Sequence, residues 1–433
     1  MSLTPKQRNI VIGVIAAVIG FVALIYFSFI AKPRAITLQV WGIESVEKMT
    51  QVFDQFTSGY PHLTIFYTQF SEEEYHQALL KAFADNEAPD VFFVYDTWFP
   101  KYQNKAWPLY LPQDKQITVK KLLETYSETS LKPVLVNNSY LYGIPVSIDT
   151  LALYYNQDIF NASAIPLPPK TWEEVLDLIP KLRILEPNGR LIRSAIALGT
   201  SNNVRWATDI LSALMGQLGS PVVDENLGLV VFKDATLWQN QPIVPAEAAL
   251  QFYTQFANPL SINYSWNENL PDSVIAFSQG KTALMIGYEQ AIDVLREYNP
   301  LLNFKISSLP NFRNNPNQNN YARISYYLVS TQTKHPKESW LFLKFLNSNE
   351  GADAYYNITH RPPANKNIIA AYLNEPLDST FLAQSLNSWI YYQYDYEQFD
   401  NVFKQMIDDV GIRKLPPHDV VLDGANTLNF SWK

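Results

Sequence analysis

The order of strand and helix patterns at the start of the main body is the feature that most restricts the fold. Residues 36–41 alternate apolar and polar side chains, as a half-buried strand does, and residues 46–56 repeat their apolar positions at helical spacing. Residues 63–68 predict a second strand, and residues 75–83 a second helix. Residues 91–95 form an apolar run typical of a strand buried on both faces. This β-α-β-α-β order predicts an α/β protein with a parallel, doubly wound sheet.

Helix starts are marked by pairs of polar residues. Ser71 with Glu74, and Thr171 with Glu174, have the spacing of a capping box, in which the hydroxyl and the carboxylate satisfy free backbone N–H groups. Each pair is followed by apolar residues at helical spacing. Pro180 falls inside the second of these patterns and should end or kink that helix.

Two of the predicted strands end in residues suited to a binding site. Trp41 closes the first strand, and Asp96 and Trp98 follow the third. In open α/β sheets, ligands bind beyond the carboxyl ends of the strands. Topology therefore makes all three candidate ligand-binding residues. Packing at the edge of the core for the two tryptophans, and a turn or capping role for Asp96, remain open.

An uncharged apolar run over residues 10–31 precedes the body. At about 1.5 Å per residue it would form a helix of about 33 Å, enough to cross a hydrocarbon core of about 30 Å. A secretory signal usually has a shorter apolar region and small residues at its cleavage site, so we expect a retained transmembrane anchor rather than a cleaved signal. Basic residues flank the run on both sides, and the positive-inside rule leaves its orientation open.

Composition excludes several kinds of site. There are no cysteines, so disulfides, thiol catalysis and cysteine-based metal sites cannot form. The net charge of -8 argues against a nucleic-acid partner. The 26 Tyr, 24 Phe and 10 Trp exceed what a core requires and leave room for an aromatic-lined cleft. The length of the body favours two domains or lobes.

Catalytic and cofactor motifs are missing from the sequence. Gly280-Lys281-Thr282 resembles the end of a phosphate-binding loop, but Ile275 stands where that loop needs a glycine. The five histidines show no zinc-binding spacing. We therefore expect no cofactor, no metal site and no enzyme activity. A glycosidase remains open, because folding alone could bring two carboxylates together.

Four stretches, taken in order, resemble the extracytoplasmic solute-binding proteins of ATP-driven importers, in the carbohydrate-binding branch that includes maltose-binding protein. These stretches are residues 36–41 with 88–91, 142–156 with 168–174, 276–285, and 326–329 with the helix after Pro336. The resemblance covers residues 36 to about 426. It departs from the family at the retained apolar helix, at Pro180, and at Tyr288-Glu289, where the maltose-type relative is rich in Trp.

The resemblance implies a two-lobed periplasmic-binding-protein (type II) fold with strands that cross between the lobes. We expect crossings near residues 149–153, 325–329 and 373–380. Lobe 1 would then comprise residues 36–148 plus 329–375, and lobe 2 residues 153–324 plus 378–433, behind the anchor at 10–31.

The resemblance also implies the function. We expect a monomeric, membrane-anchored protein whose body faces the extracytoplasmic side, captures a sugar or oligosaccharide between its lobes and delivers it to an ABC permease. A carbohydrate sensor or adhesion module without transport remains the alternative. We expect Arg361 to be structural. The candidate ligand-binding residues are Trp41, Asp96 and Trp98 on one lobe, Trp206, Trp266 and Tyr288 on the other, Trp389 from the last segment, and Asp149 beside a crossing. The helical spacing of Trp206 with Ile210 favours core packing over ligand contact for this residue.

Overall fold

The structure is a computed structural model, and it describes residues 12–22, 34–315, 320–374 and 379–432. The strands are β1 (Ile36–Gly42), β2 (Leu63–Gln69), β3 (Val91–Tyr95), β4 (Leu109–Tyr110), β5 (Leu135–Val136), β6 (Tyr140–Leu141), β7 (Gly143–Thr150), β8 (Ala152–Asn156), β9 (Ile184–Leu185), β10 (Leu191–Ile196), β11 (Val223–Asp224), β12 (Leu229–Val230), β13 (Thr236–Trp238), β14 (Gln241–Ile243), β15 (Thr282–Gly287), β16 (Phe304–Ser308), β17 (Asn320–Val329) and β18 (Ser388–Trp389).

The helices include one in the N-terminal apolar run, which we number first. They are α1 (residues 12–22), α2 (Val46–Gly59), α3 (Glu72–Ala84), α4 (Phe99–Tyr102), α5 (Val119–Thr125), α6 (Glu128–Leu131), α7 (Gln157–Ala162), α8 (Trp172–Leu182), α9 (Ala207–Gln217), α10 (Pro245–Thr254), α11 (Ser273–Ser278), α12 (Ala291–Tyr298), α13 (Pro336–Asn347), α14 (Asn349–Thr359), α15 (Lys366–Tyr372), α16 (Ser379–Ser385), α17 (Tyr396–Gly411) and α18 (Pro417–Trp432).

The first sheet contains the predicted β-α-β-α-β unit. β1 pairs in parallel with both β2 and β3, as the sequence predicts. β17 then pairs antiparallel with β3 and with β7, so the sheet is mixed rather than wholly parallel. β3 lies inside this sheet and all five of its residues are buried, which explains its continuous apolar sequence.

The second sheet has the strand order β16-β8-β15-β10-β9. β10 and β15 are parallel, whereas β8 runs antiparallel to β15 and to β16. The helices α8, α9 and α10 contribute buried apolar side chains to the core on this sheet. Each sheet therefore has a hydrophobic core of its own, and the molecule has two lobes.

The two capping boxes form the predicted helix starts. The amide N of Glu74 donates to Ser71 Oγ over 3.3 Å, and that of Glu174 donates to Thr171 Oγ1 over 3.2 Å. The sequence predicts that Pro180 ends or kinks α8. The helix does not end at Pro180, since it continues to Leu182.

The chain passes between the lobes where consecutive strands belong to different sheets. β7 belongs to the first sheet and β8 to the second, so one passage lies at Leu151. β17 lies in the first sheet from Asn320 onward, whereas we expected its crossing near residues 325–329 and lobe 2 to continue to 324. The expected third crossing partly falls on residues 375–378, outside the described residues. The remaining lobe boundaries stay a prediction.

The N-terminal apolar run is described only in part. Residues 12–22 form α1, and the other residues of the predicted anchor at 10–31 lie outside the described residues. Over the described ranges, none of the helices is both long enough and apolar enough to span a membrane.

Candidate ligand-binding cleft

A cavity of about 880 Å³ lies between the two lobes. The first lobe lines it with the segment after β1 and the N-terminal turn of α3. The second lobe lines it with the segment before α9, with α12 and with the N-terminal half of α17. Its lining includes Trp206 and many charged residues. These are Glu44, Lys48, Glu72, Glu73, Arg205, Asp272, Asp293, Glu297, Arg323, Arg361, Asp400 and Lys404.

Together with Tyr396 of α17, Trp206 is an aromatic residue that the second lobe contributes to this cleft. Its side chain is half-buried, and its ring meets the Tyr288 ring edge-on at 5.6 Å between centroids. A Cβ atom on Gly287 would lie 2.7 Å from Trp206 Cζ3, so only glycine leaves room for the ring there. Trp206 also has a φ of 60°, a left-handed conformation that non-glycine residues rarely adopt. Strain of this kind concentrates at functional sites.

Every cationic side chain lining the cleft is paired with a carboxylate. Arg361 Nε lies 2.8 Å from Glu44 Oε1 of the first lobe, and its Nη1 lies 2.5 Å from Glu289 Oε2 of the second lobe. Lys48 and Asp293 form a more exposed pair across the lobes, 3.0 Å apart. The other pairs are Arg323 with Glu72 and Asp209, Arg205 with Asp272, and Lys404 with Asp400.

Burial raises the pKa of four carboxyl groups near the cleft, those of Asp96, Asp149, Asp209 and Glu289. Burial raises the pKa of Asp96 to about 7, although the backbone N–H of Ile324 donates to its Oδ1 over 2.9 Å. Burial likewise raises the pKa of Asp149 to about 6, against the opposing effect of Arg361. Asp149 Oδ1 accepts from the backbone N–H of Glu289 over 3.1 Å. Within the described part of the chain, no group of three or more acids and histidines is arranged to hold a metal ion.

Four of the predicted binding residues lie on cavities. Trp206 lines the main cleft, while Tyr288 and Asp149 line a small cavity of about 20 Å³ that shares Glu44, Arg323 and Arg361 with it. Asp96 instead lines a separate cavity of about 130 Å³, together with Tyr391, Tyr392 and other residues of both lobes. These four therefore stay candidates for contact with a ligand.

The other four predicted residues pack in the cores. Trp266 is 0% exposed and donates from Nε1 to Asn203 Oδ1 over 3.0 Å, so a ligand cannot reach its ring in this arrangement. Trp98 is buried and stacks on Tyr75 at 6.0 Å. For these two the expected ligand contact is corrected to a packing role. Trp41 packs on the first core and Trp389 on the second, where its ring faces α9 at Gly216.

Most of the charged residues of the cleft were not among the predicted binding residues. Glu44 follows β1 and Glu289 follows β15, so the rule that ligands bind beyond strand ends could have found both. Arg323 lies within β17 in an apolar neighbourhood and gave no such signal. Arg361, expected to be structural, does form ion pairs, and these join the two lobes at the cleft.

The family model for the bacterial extracellular solute-binding proteins matches residues 42–353. The chain belongs to this family. Its members are solute-binding proteins, in agreement with the expectation of a binding protein rather than an enzyme.

Two of the similar proteins are named for the saccharides they bind. The galactooligosaccharide-binding protein of Bacillus subtilis is 25% identical over 256 residues, which cover 59% of this chain and 56% of that protein. The maltodextrin-binding protein MdxE of the same organism is 24% identical over 253 residues, covering 56% and 54%. The chain therefore aligns with about half the length of these relatives.

Solved structures share the fold over nearly the whole chain. An ABC transporter solute-binding protein from Thermotoga lettingae, described with bound α-D-tagatose, has a TM-score of 0.72 at 16% identity and covers 92% of this chain and 100% of its own. The GacH receptor of Streptomyces glaucescens, described in unliganded form and with acarbose, has a TM-score of 0.70 at 16% identity, covering 92% and 99%. These likenesses establish the periplasmic-binding-protein-like fold.

Proposed function

We propose that this protein binds a sugar or oligosaccharide in the cleft between its lobes and delivers it to an ABC permease. The observation that carries the proposal is the cleft of about 880 Å³ between two lobes with separate cores, with Trp206, whose backbone is left-handed, on its wall. The family gives the solute-binding role, and the names of the relatives favour a saccharide as the solute.

The side chains of the cleft match the two surfaces of a sugar. A pyranose has apolar C–H faces that pack on a flat ring such as that of Trp206. Its hydroxyls donate to carboxylates, of which Glu73 and Glu297 line the cleft from opposite lobes. A ligand of the wrong hydroxyl pattern would leave buried polar groups unpaired, which is the source of selectivity in such sites.

Capture would involve movement of the lobes about the passage at Leu151 and the start of β17. A ligand that touches both lobes binds the closed arrangement better than the open one and so shifts the population toward closure. A ligand on one lobe alone would not do so.

Membrane attachment is a further part of the proposal. The apolar side chains of α1 are exposed, with Ile19 at 63% and Phe21 at 66%, and the sequence of residues 10–31 is long enough to cross a bilayer. An anchored body would remain beside its permease. Protease added to intact cells should digest the body, and a protected body would contradict this orientation.

Calorimetric titration of the full chain in detergent with a panel of mono- and oligosaccharides tests the binding role. The titration gives the dissociation constant. In a separate unfolding measurement, a saccharide present at 100 times that constant should add about 2.7 kcal/mol to the free energy of unfolding. Absence of binding across neutral sugars of one to seven units would contradict the proposal. Copurification of permease subunits distinguishes transport from a sensor or adhesion role.

A further inference from the structure

Arg323 is the most enclosed cation of the cleft. It extends from β17 of the first sheet, and its side chain is only 9% exposed. Nη1 lies 2.8 Å from Glu72 Oε1 on α3 of the first lobe, and Nη2 lies 2.9 Å from Asp209 Oδ2 on α9 of the second lobe. One guanidinium therefore joins carboxylates from both lobes.

Two tyrosine rings enclose the same guanidinium. Arg323 Cζ lies 5.2 Å from the ring centroid of Tyr95, in the first lobe, and 5.1 Å from that of Tyr288, in the second lobe. Distances below about 6 Å allow a favourable cation–π interaction on each side. The planar guanidinium suits such stacking, and it can pair with two carboxylates at once, whereas an ammonium is a point charge.

Hydrogen bonds connect each ring to the carboxylate of its own lobe. Tyr95 Oη donates to Glu72 Oε2 over 3.3 Å, and Tyr288 Oη donates to Asp209 Oδ2 over 3.1 Å. Each lobe thus supplies one tyrosine–carboxylate pair, and the two pairs face each other across Arg323. We name these four residues the tyrosine–carboxylate cage.

We propose that the tyrosine–carboxylate cage is a guanidinium-binding site formed by both lobes, and that Arg323 occupies it as a built-in ligand that holds the lobes together without any saccharide. Opening would remove Asp209 and Tyr288 from Arg323, because those two residues belong to the second lobe. Asp209 would then lose its cationic partner, and losing one partner of a buried pair is strongly unfavourable.

The proposal goes beyond saccharide binding, because it concerns the lobes in the absence of a ligand. It restricts the inner end of the cleft, since the space between the two tyrosine rings is filled by the chain itself. A saccharide would then be confined to the outer cleft beside Trp206.

The absence of native cysteines allows a direct test on the full chain in detergent. Leu123→Cys on the first lobe and Leu260→Cys on the second replace side chains that are 50% and 95% exposed, and both can carry spin labels. Without saccharide, the parent should give one narrow distance distribution between the labels. Arg323→Ala should give a longer, broader one, and millimolar methylguanidinium should restore the narrow distribution.

Three further variants complete the design. Arg323→Ala combined with Asp209→Asn removes one wall of the cage and should weaken the effect of methylguanidinium. Arg190→Ala breaks an exposed pair with Glu186, neither of which lines the cleft, and should leave the distances unchanged with or without methylguanidinium. Arg323→Lys retains the charge but cannot bridge both carboxylates, so it should also open the lobes.

A wild-type distribution in Arg323→Ala or Arg323→Lys would overturn the proposal, as would failure of methylguanidinium to act on a folded Arg323→Ala. If Arg323→Ala does not fold, Arg323→Lys alone decides the outcome. No saccharide enters the experiment, so its failure is separate from failure of the sugar-binding function.

Discussion

At the scale of single residues, Trp206 shows how conformation and position together mark a candidate binding residue. Its left-handed backbone costs on the order of 1–3 kcal/mol and persists only where surrounding structure enforces it. Gly287 and Tyr288 supply that enforcement by fixing the ring from two sides. The helical spacing with Ile210, which allowed a core role, did not reveal that the residue lies at the helix start.

Replacing Trp206 with Ala should weaken binding of whichever saccharide the titration panel identifies by about 10-fold or more, since a stacked ring at the centre of a site contributes about 1.4 kcal/mol or more. Titration calorimetry gives the change. Trp266→Phe is the matched control, because Trp266 is fully buried in the second core. That variant should unfold at lower urea concentration and keep its affinity. An unchanged affinity in Trp206→Ala would contradict the assigned site.

Asp96 should make stability depend on pH. Its folded pKa of about 7 lies above the unfolded value of 3.8, so between those values the folded chain holds a proton that the unfolded chain has lost. The unfolding free energy should therefore fall as pH rises from about 4 to about 7 and change little above that. Asp96→Asn should reduce this slope in urea titrations at several pH values. An identical slope in the variant would mean that Asp96 does not titrate as described.

At the scale of elements, α9 connects the cleft to the core behind it. Its N-terminal end bears Trp206 and Asp209 toward the cleft, while Gly216 in its last turn contacts the Trp389 ring. A Cβ atom on Gly216 would lie 2.0 Å from Trp389 Cζ2. The position of α9, and with it the cage, depends on that contact.

Gly216→Ala should lower the free energy of unfolding by about 1–3 kcal/mol, because an extra methyl group in a filled core forces side chains or backbone to shift. Gly59→Ala is the matched control, since a Cβ atom there meets nothing within 4 Å at the end of α2. It should be neutral or slightly stabilising. Urea unfolding of both variants measures the difference, and equal stabilities would contradict the packing described.

At the scale of the whole molecule, ion pairs of different burial join the lobes. Arg361 is 14% exposed and its partners Glu44 and Glu289 are 7% and 4% exposed, whereas Lys48 and Asp293 are 27% and 56% exposed. Burial sets how much each ion pair contributes to stability. Water and salt screen the attraction between exposed charges, whereas buried charges are screened much less.

Arg361→Gln should therefore destabilise the protein by about 3–5 kcal/mol, since it leaves two buried carboxylates without their cation. Lys48→Gln, which also removes an interlobe pair, should cost about 1 kcal/mol or less. Urea unfolding at low and at high salt distinguishes them, because only the contribution of Lys48 should be screened away. Equal losses in the two variants would show that burial does not set their strength.

The sequence by itself determined the local order of the molecule. Periodicity, capping boxes and the apolar run of β3 predicted the β-α-β-α-β unit, because those signals depend on neighbours a few residues apart. The resemblance supplied the two-lobed architecture and the solute-binding class.

Only the tertiary structure decided which side chains meet in the cleft. Arg361 and Glu44 are 317 positions apart, and Arg323 and Glu72 are 251 apart, so no local pattern relates them. The same holds for tryptophans: Trp206 and Trp266 are equally plausible by type, yet one lines the cleft and the other is fully buried. Pairing of charges and burial of rings depend on long-range packing, which composition and spacing do not encode.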